Sequence, residues 1–514
     1  MKKKLIKTIK RFYILNINKI TLQKLLKNYI NHNLIKHIFI NKIVLDSRHI
    51  KGKNCLFIAI KGHKNDGRNF IDDAINNGAA AVLTYTTSNL LSYNIIFKNF
   101  IPIIFFPNLH KYISYFADIL YDHPSKKIPV VGVTGTNGKT SVTNFLMQWT
   151  HILGKNPAIL STIGNGFYKK LKLTNNTTDS AVEIQSTLKY FVDKKSDIVF
   201  MEVSSHGLDQ FRVANVIFST GIFTNLSRDH LDYHLNMKNY ELTKWKFFSD
   251  HQIKTKIINI DDNVGLKWFK RLSTSSIPVM TKKISYKSNL FFQVKNINFL
   301  KNKTIITFNS SWGHGKINTV LLGYFNVINV ILSMTTLLSL NFSLKELLKT
   351  SYELKPIIGR MEKISLGKMR YPTIIIDYAH TPDALKNILL TIQLYCQGKI
   401  WCIFGCGGER DIGKRHIMGY IANKFSDYTI ITSDNSRTEN TADIIKDILK
   451  GCYKLNNTCV ILNRTKAIYY AIFNAYKEDT ILIAGKGHEN YQIIGNKIFH
   501  YSDHQIIKNI LEKI

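Results

Sequence analysis

An apolar, strand-like run, IPVVGVT, breaks at Gly135 into GTNGKTS and resumes as a stretch in which Val142, Phe145, Leu146, Trp149, Ile152 and Leu153 share one helical face. Glycines between a strand and a helix let successive backbone N–H groups face phosphate oxygens. The helix N-terminus adds partial positive charge and a lysine adds a full one. Gly135, Gly138, Lys139 and Thr140 supply that set. The strict phosphate-loop spacing fails, because Val133 stands where its first glycine belongs. The plain alternative, a glycine turn merely joining strand to helix, is disfavoured by the adjacent lysine and hydroxyl.

Further apolar strands also end on polar residues, in VFME at Glu202 and in IFTNLSRDH at His230. A carboxylate and an imidazole from two strand ends could share a magnesium ion, although this hard ion prefers oxygen and the histidine is the weaker member. Each taken singly reads equally well as a satisfied loop residue. Towards the C-terminus, DYAH, GCGGERD, SDNSR and GKGHE follow apolar strands. That is the carboxyl edge at which open α/β sheets bind ligands. The cysteines lack CxxC spacing, and Cys402 and Cys406 read as buried packing rather than metal ligands.

GVTGTNGKTS resembles the variant phosphate loop of the Mur ligases and of their relatives, the folylpolyglutamate and cyanophycin synthetases. EVSSHGL and TNLSRDHLDYH resemble the Mur branch that adds diaminopimelate or lysine. LDSR with LFIAIKGHKNDGRNFIDDAINNGAAA is similar to the UDP-binding domain of that branch, and GCGGERDIGKR, SDNSRTEN and AGKGHENYQ to its amino-acid pocket. The resemblance runs from about residue 40 to the C-terminus in the family's motif order, and the residues before it are uninformative.

The resemblance implies ATP contacts at Gly135, Thr136, Asn137, Gly138, Lys139, Thr140 and Ser141, and at Asn326 and Arg360 in GYFNVINV and GRMEKI. A helix cap is the plain alternative for Asn326. Contacts to the UDP-muramoyl dipeptide are implied at Leu45, Ser47, His63, Lys64, Asn65, Asn176, Thr177, Thr178, Ser204, Gln210 and Arg212. A magnesium set of Thr140, Glu202, His230 and Lys244 is implied, with Lys139, His230 and Lys244 catalytic. Lys244 stands where the family carries a lysine carbamylated by carbon dioxide, which turns a cation into an oxygen ligand. By residue type alone it reads as a solvated helix lysine.

For meso-diaminopimelate the matching positions are Arg410, Asp434, Asn435, Ser436, Arg437, Gly485 and Glu489. Their chemistry is coherent, since a side chain ending in an ammonium and a carboxylate needs an anion and a cation opposite it. Ser436 departs from the family's D-N-P-R string. Serine for proline raises loop freedom without removing a contact group. The implied reaction is ATP-dependent amide formation through an acyl phosphate, adding meso-diaminopimelate to UDP-N-acetylmuramoyl-L-alanyl-D-glutamate in peptidoglycan precursor synthesis. A lysine-adding ligase of the same branch is the nearest alternative, and a basic phosphate-loop ATPase acting on nucleic acid is one of another class.

These motifs need α/β elements to hold them. The 514 residues exceed one core and suggest three domains. The boundaries read as 1–107 for UDP-muramoyl binding, 108–357 for a central P-loop-type ATPase domain and 358–514 for a Rossmann-like amino-acid domain. Lys and Arg total 70 against 35 acidic residues, a formal charge of +35. The basic residues are scattered along the chain rather than clustered, so they read as compositional bias and no nucleic-acid partner is expected. Lys7, Lys10, Arg11 and Lys19 interrupt the N-terminal apolar stretches, and no run approaches the about 20 residues that cross a bilayer. The expectation is a soluble, cytoplasmic monomer.

Overall fold

The computed structural model describes residues 19–62, 65–174, 176–272, 275–284, 288–300, 302–364 and 371–512. Short apolar strands alternating with helices make an α/β protein. It divides into two compact units: residues up to Gly132 with Asn156–Thr220 and Lys246–Lys254, and Val133–Lys155 with Gly221–Trp245 and Thr255–Ile514. No helix among the described residues is long and apolar enough to cross a membrane.

In the first unit, strands Lys42–Val44, Cys55–Ala59, Ala79–Thr86 and Ile101–Pro107 run parallel, and Ile95–Lys98 adds an antiparallel edge. Cys55–Ala59 is uninterruptedly apolar because both of its faces are covered. Leu56 and Ile58 join Phe106, Phe116 and Leu120, while Phe57 and Ala59 join Ala74 and Val82. Leu45 and Ser47 follow the first of these strands and Asn65 lies beyond the second, so parallel pairing sends both stretches to one carboxyl edge. A second sheet holds Lys170–Lys172, Gly164–Phe167, Pro157–Ser161, Ile198–Glu202 and Val130–Thr134 in that order. The helix Ala181–Asp193 begins at a capping box in which Ser180 and Glu183 satisfy each other's backbone N–H.

The second unit opens on the end of Val130–Thr134, which leads through the glycine turn into the buried helix Lys139–Ile152. Its C-terminal part is a six-stranded sheet ordered Glu362–Ile364, Thr373–Asp377, Thr480–Ala484, Ile400–Phe404, Tyr428–Ile431 and Thr458–Val460. All but the first strand are parallel to their neighbours. Alternate residues of each strand serve opposite faces. Leu482, Cys402 and Phe404 pack with Leu389, Met418 and Ile448, whereas Ile481, Ile483 and Ile403 pack with Ile468, Ile472 and Ile507. This is the doubly wound arrangement expected from the strand and helix alternation. Cys402 and Cys406 are buried in it, and burial pushes the Cys406 thiol up to about 12.

Leu482 lies on the central strand of this sheet and is wholly buried. Leu482→Ala should lower the unfolding free energy by about 2–5 kcal/mol through lost transfer energy and a residual cavity. Lys497→Ala, at an exposed hairpin position, should stay within about 0.5 kcal/mol. Denaturant titration of the two variants against the parent protein measures both.

Candidate active site

The glycine turn is shaped by close approach. A Cβ on Gly135 would lie 1.9 Å from the Thr224 hydroxyl, and one on Gly138 would lie 2.6 Å from Asn329 Oδ1. Both residues have left-handed φ, +148° and +87°, which glycine alone adopts freely. Neighbouring strand ends hold the turn. The N–H of Thr136 donates to Asn225 O at 2.9 Å, the N–H of Asn137 to Asn225 Oδ1 at 2.9 Å, and Asn137 Nδ2 to Asp383 Oδ2 at 3.3 Å. Lys139 Nζ bends back over the turn and donates to the carbonyls of Gly135 and Thr136, both at 2.8 Å. Thr140 and Ser141 are buried at the start of the helix, and Arg360 Nη2 donates to Thr140 Oγ1 at 3.2 Å. The Arg360 guanidinium also lies 4.5 Å from the centroid of the Tyr378 ring.

Asn326 is buried in the first turn of the helix Tyr324–Ser339, where Gly323 is the cap and the Asn326 amide donates to Leu322 O at 2.8 Å. Asn329 lies one turn further along the same helix and faces the glycine turn. The sequence reading missed it, although the i, i+3 spacing in NVIN was a usable signal.

Lys244 sits on the helix Met237–Ser249 and is only 1% exposed, so the solvated-lysine reading fails. Its Nζ donates to Gly135 O at 2.9 Å and lies 4.9 Å from the Tyr240 ring centroid. Burial, and then Lys139, hold this amine well below the usual lysine range, with only Asp229 opposing them. His230 takes a left-handed φ of +54° and its Nε2 lies 3.3 Å from Asp229 Oδ2. Asp229 is itself buried and also pairs with Lys414 Nζ at 3.3 Å and His380 Nε2 at 3.5 Å. Burial would raise its carboxyl, but Lys414, His230 and His380 outweigh that and hold it well below the carboxylate range. The sequence offered no sign of Asp229 beyond its place in SRDH.

The fourth residue of the implied magnesium set, Glu202, belongs to the first unit, where it ends Ile198–Glu202 and is 1% exposed. Its oxygens accept from Thr162 N at 2.9 Å and Thr162 Oγ1 at 3.1 Å, and that hydroxyl oxygen in turn accepts from Thr177 Oγ1 at 3.1 Å. Thr178 Oγ1 donates to Glu202 O at 2.9 Å and accepts from Ser204 N at 3.0 Å. Arg212 donates to Gln210 Oε1 and to Thr178 O. Two separate segments of implied dipeptide contacts are thereby joined. Asn176 is exposed beside them, its carbonyl accepting from Thr174 Oγ1 at 3.0 Å. Of the implied UDP-side residues, Leu45 is exposed, Ser47 is buried, and Asn65 O accepts from Gly62 N at 2.8 Å. His63 and Lys64 lie outside the described residues.

The implied amino-acid residues converge at the carboxyl edge of the six-stranded sheet. Asp434 to Arg437 lie beyond Tyr428–Ile431, and Gly485 and Glu489 beyond Thr480–Ala484. A Cβ on Gly485, at φ +107°, would lie 2.8 Å from Asp434 Oδ2. Arg437 Nη1 donates to Gly408 O at 2.8 Å and Asn435 O at 3.2 Å. Burial, and then neighbouring Arg410, destabilise its charge, so its pKa is lowered. Two guanidinium groups in one field favour an anion between them. Arg410 is also 3.7 Å from Asp232. Glu489 Oε2 accepts from Asn435 Nδ2 at 2.9 Å, and Tyr378 OH lies 3.5 Å from Oε1. Ser436 is buried, with its carbonyl against Gly408, where a Cβ would stand 1.9 Å away.

Comparison with known proteins matches three family models along the chain: Mur ligase family, catalytic domain, at residues 39–109; Mur ligase middle domain, at 133–337; and Mur ligase, glutamate ligase domain, at 359–487. A UDP-N-acetylmuramoyl-L-alanyl-D-glutamate–2,6-diaminopimelate ligase of Buchnera aphidicola subsp. Schizaphis graminum is 49% identical over 477 residues, covering 92% of this chain and 95% of that protein. The ligase of the same name from Haemophilus influenzae strain PittGG is 44% identical over 475 residues, covering 92% and 97%. Among solved structures, one of a UDP-N-acetylmuramoyl-L-alanyl-D-glutamate–2,6-diaminopimelate ligase aligns with a TM-score of 0.67 and 27% identity, covering 96% of this chain and 99% of that one. MurF from Thermotoga maritima in complex with ADP aligns with a TM-score of 0.60 at 16% identity, covering 88% and 95%, and speaks for the fold alone. With models matched from residue 39 to residue 487 and relatives approaching half identity over nine-tenths of its length, the chain belongs to the Mur ligase family.

Proposed function

We propose that the chain is the ATP-dependent ligase that joins meso-diaminopimelate to UDP-N-acetylmuramoyl-L-alanyl-D-glutamate during peptidoglycan precursor synthesis, acting as a cytoplasmic monomer with neither nucleic acid nor membrane as partner. The observation that carries the reading is the convergence, at the carboxyl edge of the six-stranded sheet, of the Arg437 and Arg410 guanidinium groups with the Asp434 and Glu489 carboxylates. Such a set fits an amino acid whose side chain ends in both charges. The names of the relatives agree with it. The proposed domain boundaries are 1–107, 108–357 and 358–514.

In this reading the γ-carboxylate of the D-glutamyl group attacks the γ-phosphorus of ATP, giving an acyl phosphate and ADP. The neutral amine of diaminopimelate then attacks the acyl carbon and expels phosphate. Phosphoryl transfer of this kind depends on positioning and on neutralising charge. Lys139, folded over the glycine turn, would bring its ammonium to the terminal phosphates, and the N-terminus of the helix Lys139–Ile152 would face the remaining oxygens, while the N–H groups of Thr136 and Asn137 stay with Asn225. Asn326 and Arg360 complete the nucleotide contacts.

The resemblance assigns magnesium to Thr140, Glu202, His230 and Lys244, of which by residue type the hydroxyl and the carboxylate would supply oxygen donors and His230 a nitrogen. Lys244 offers no oxygen as an amine. Burial lowers the pKa of this amine and so favours the neutral form that reacts with carbon dioxide, and a carbamate there would supply the missing oxygens. Magnesium held there would neutralise charge on the ATP phosphates and the attacking carboxylate.

The decisive experiment follows ATP turnover with the UDP-muramoyl dipeptide and meso-diaminopimelate, L-lysine or no amino acid. Turnover only with diaminopimelate is expected, and equal kcat/KM for lysine would sink the substrate assignment. Lys139→Ala should reduce amide formation by at least about 10²-fold in a protein that stays folded by circular dichroism, since a pre-organised charge at the reacting phosphate is lost. Lys244→Ala should lose most activity. Intact mass of the active parent protein under retained carbon dioxide should show the carbamate, and an unmodified amine would refute it. Arg437→Ala should lower kcat/KM for diaminopimelate by about 10³-fold or more while changing that for lysine little, because a site built for a charged group rejects the analogue lacking it. A comparable fall for both amino acids would show that Arg437 does not read the carboxylate.

A further inference from the structure

Beside Asp434, Asn435 and Glu489 lies a charged side chain that solvent does not reach. Lys486 is 0% exposed, yet it follows the glycine that ends the central strand of the six-stranded sheet. An ammonium has three N–H donors, and each has an acceptor here: Asn435 Oδ1 at 3.1 Å, Glu489 Oε2 at 3.2 Å and Tyr491 O at 2.8 Å. Asp434 Oδ1 is 3.7 Å away.

This geometry fixes two neighbours. Asn435 Oδ1 accepts from Lys486 and from Ile493 N at 3.0 Å, so the amide cannot flip without facing its NH₂ towards two donors. Its Nδ2 is thereby committed to Glu489 Oε2 at 2.9 Å. Glu489 is in turn held through Oε2 by both Lys486 and Asn435, while its Oε1 lies 3.5 Å from the Tyr378 hydroxyl. Arg464, the other fully buried cation nearby, spends its guanidinium on Asp503 and Ala484 O and does not share this task.

We propose that Lys486 is a positioning residue for amino-acid selection, acting on the ammonium end of the substrate by locking Glu489 and Asn435 into their binding orientations. This rests on the reading that these two residues receive the amino acid. A lysine that only balanced buried charge would affect stability. A lysine that orients the contacts must also change how the amino acid is bound, and specifically through Glu489.

The test is a double-mutant cycle on the full-length enzyme, reading KM for meso-diaminopimelate, KM for ATP and melting temperature. Lys486→Met should raise the KM for diaminopimelate by about 100-fold, as expected when one partner of a buried charged contact is removed, and leave the KM for ATP within about threefold. In a Glu489→Gln background the same change should add less than about tenfold, because residues acting through one another are not additive. The Lys486→Met/Glu489→Gln protein leaves no glutamate charge unpaired, so this arm stands even where Lys486→Met alone does not fold. Were Lys486→Met to lower only melting temperature and kcat at unchanged KM, or to raise KM equally in both backgrounds, the positioning role would be overturned. An unchanged KM for diaminopimelate in Glu489→Gln alone would instead overturn the pocket assignment beneath it.

Discussion

A single carbonyl oxygen, that of Gly135, accepts from two lysines, Lys139 at 2.8 Å and Lys244 at 2.9 Å. Two ammonium groups on one acceptor repel strongly where water is excluded. One relief is for the more buried amine to give up its proton, and burial and Lys139 push Lys244 in that direction. Several residues of the second unit bear on this crowding. Thr224 presses on Gly135, Asn225 straps the turn, and Asp229 supplies the opposing charge while drawing in Lys414 and His380. The fold of Lys139 back over the turn and the lowered pKa of the Lys244 amine are thus products of one local conflict.

Much of this was legible in the residues because it is local. Strand runs such as TIIID and TILIA pair in parallel as read, and the glycine turn stands where Gly135 and Gly138 required it. The residues of SDNSR and GKGHE meet because parallel neighbours send their carboxyl ends to one edge. What escaped reading was burial of charge. Lys244, Asp229 and Lys486 are residue types that usually face water, and only their partners from distant segments make them tolerable inside. No periodicity marks that. Asn329 is the instructive exception, since a second asparagine one turn after Asn326 was visible in the sequence.

The buried charges are handled in two ways. Arg464 and Asp503 form a closed pair, both side chains wholly buried and joined in bidentate fashion, which ties two helices on one face of the sheet. Lys486 is shared among Asn435, Glu489 and a backbone carbonyl. A closed pair stiffens the scaffold and is indifferent to ligand. A shared cation instead fixes the orientation of several neighbouring groups at once.

The contact between Gly408 and the Ser436 carbonyl has a bearing on redesign. Because backbone meets backbone there, that wall of the pocket is set by chain geometry and not by any side chain. Charge displayed beside it, at residues 410 and 437, can therefore be rewritten by mutation while this backbone contact is conserved. An engineer seeking a ligase for a different diamino acid would recolour this pocket, not reshape it.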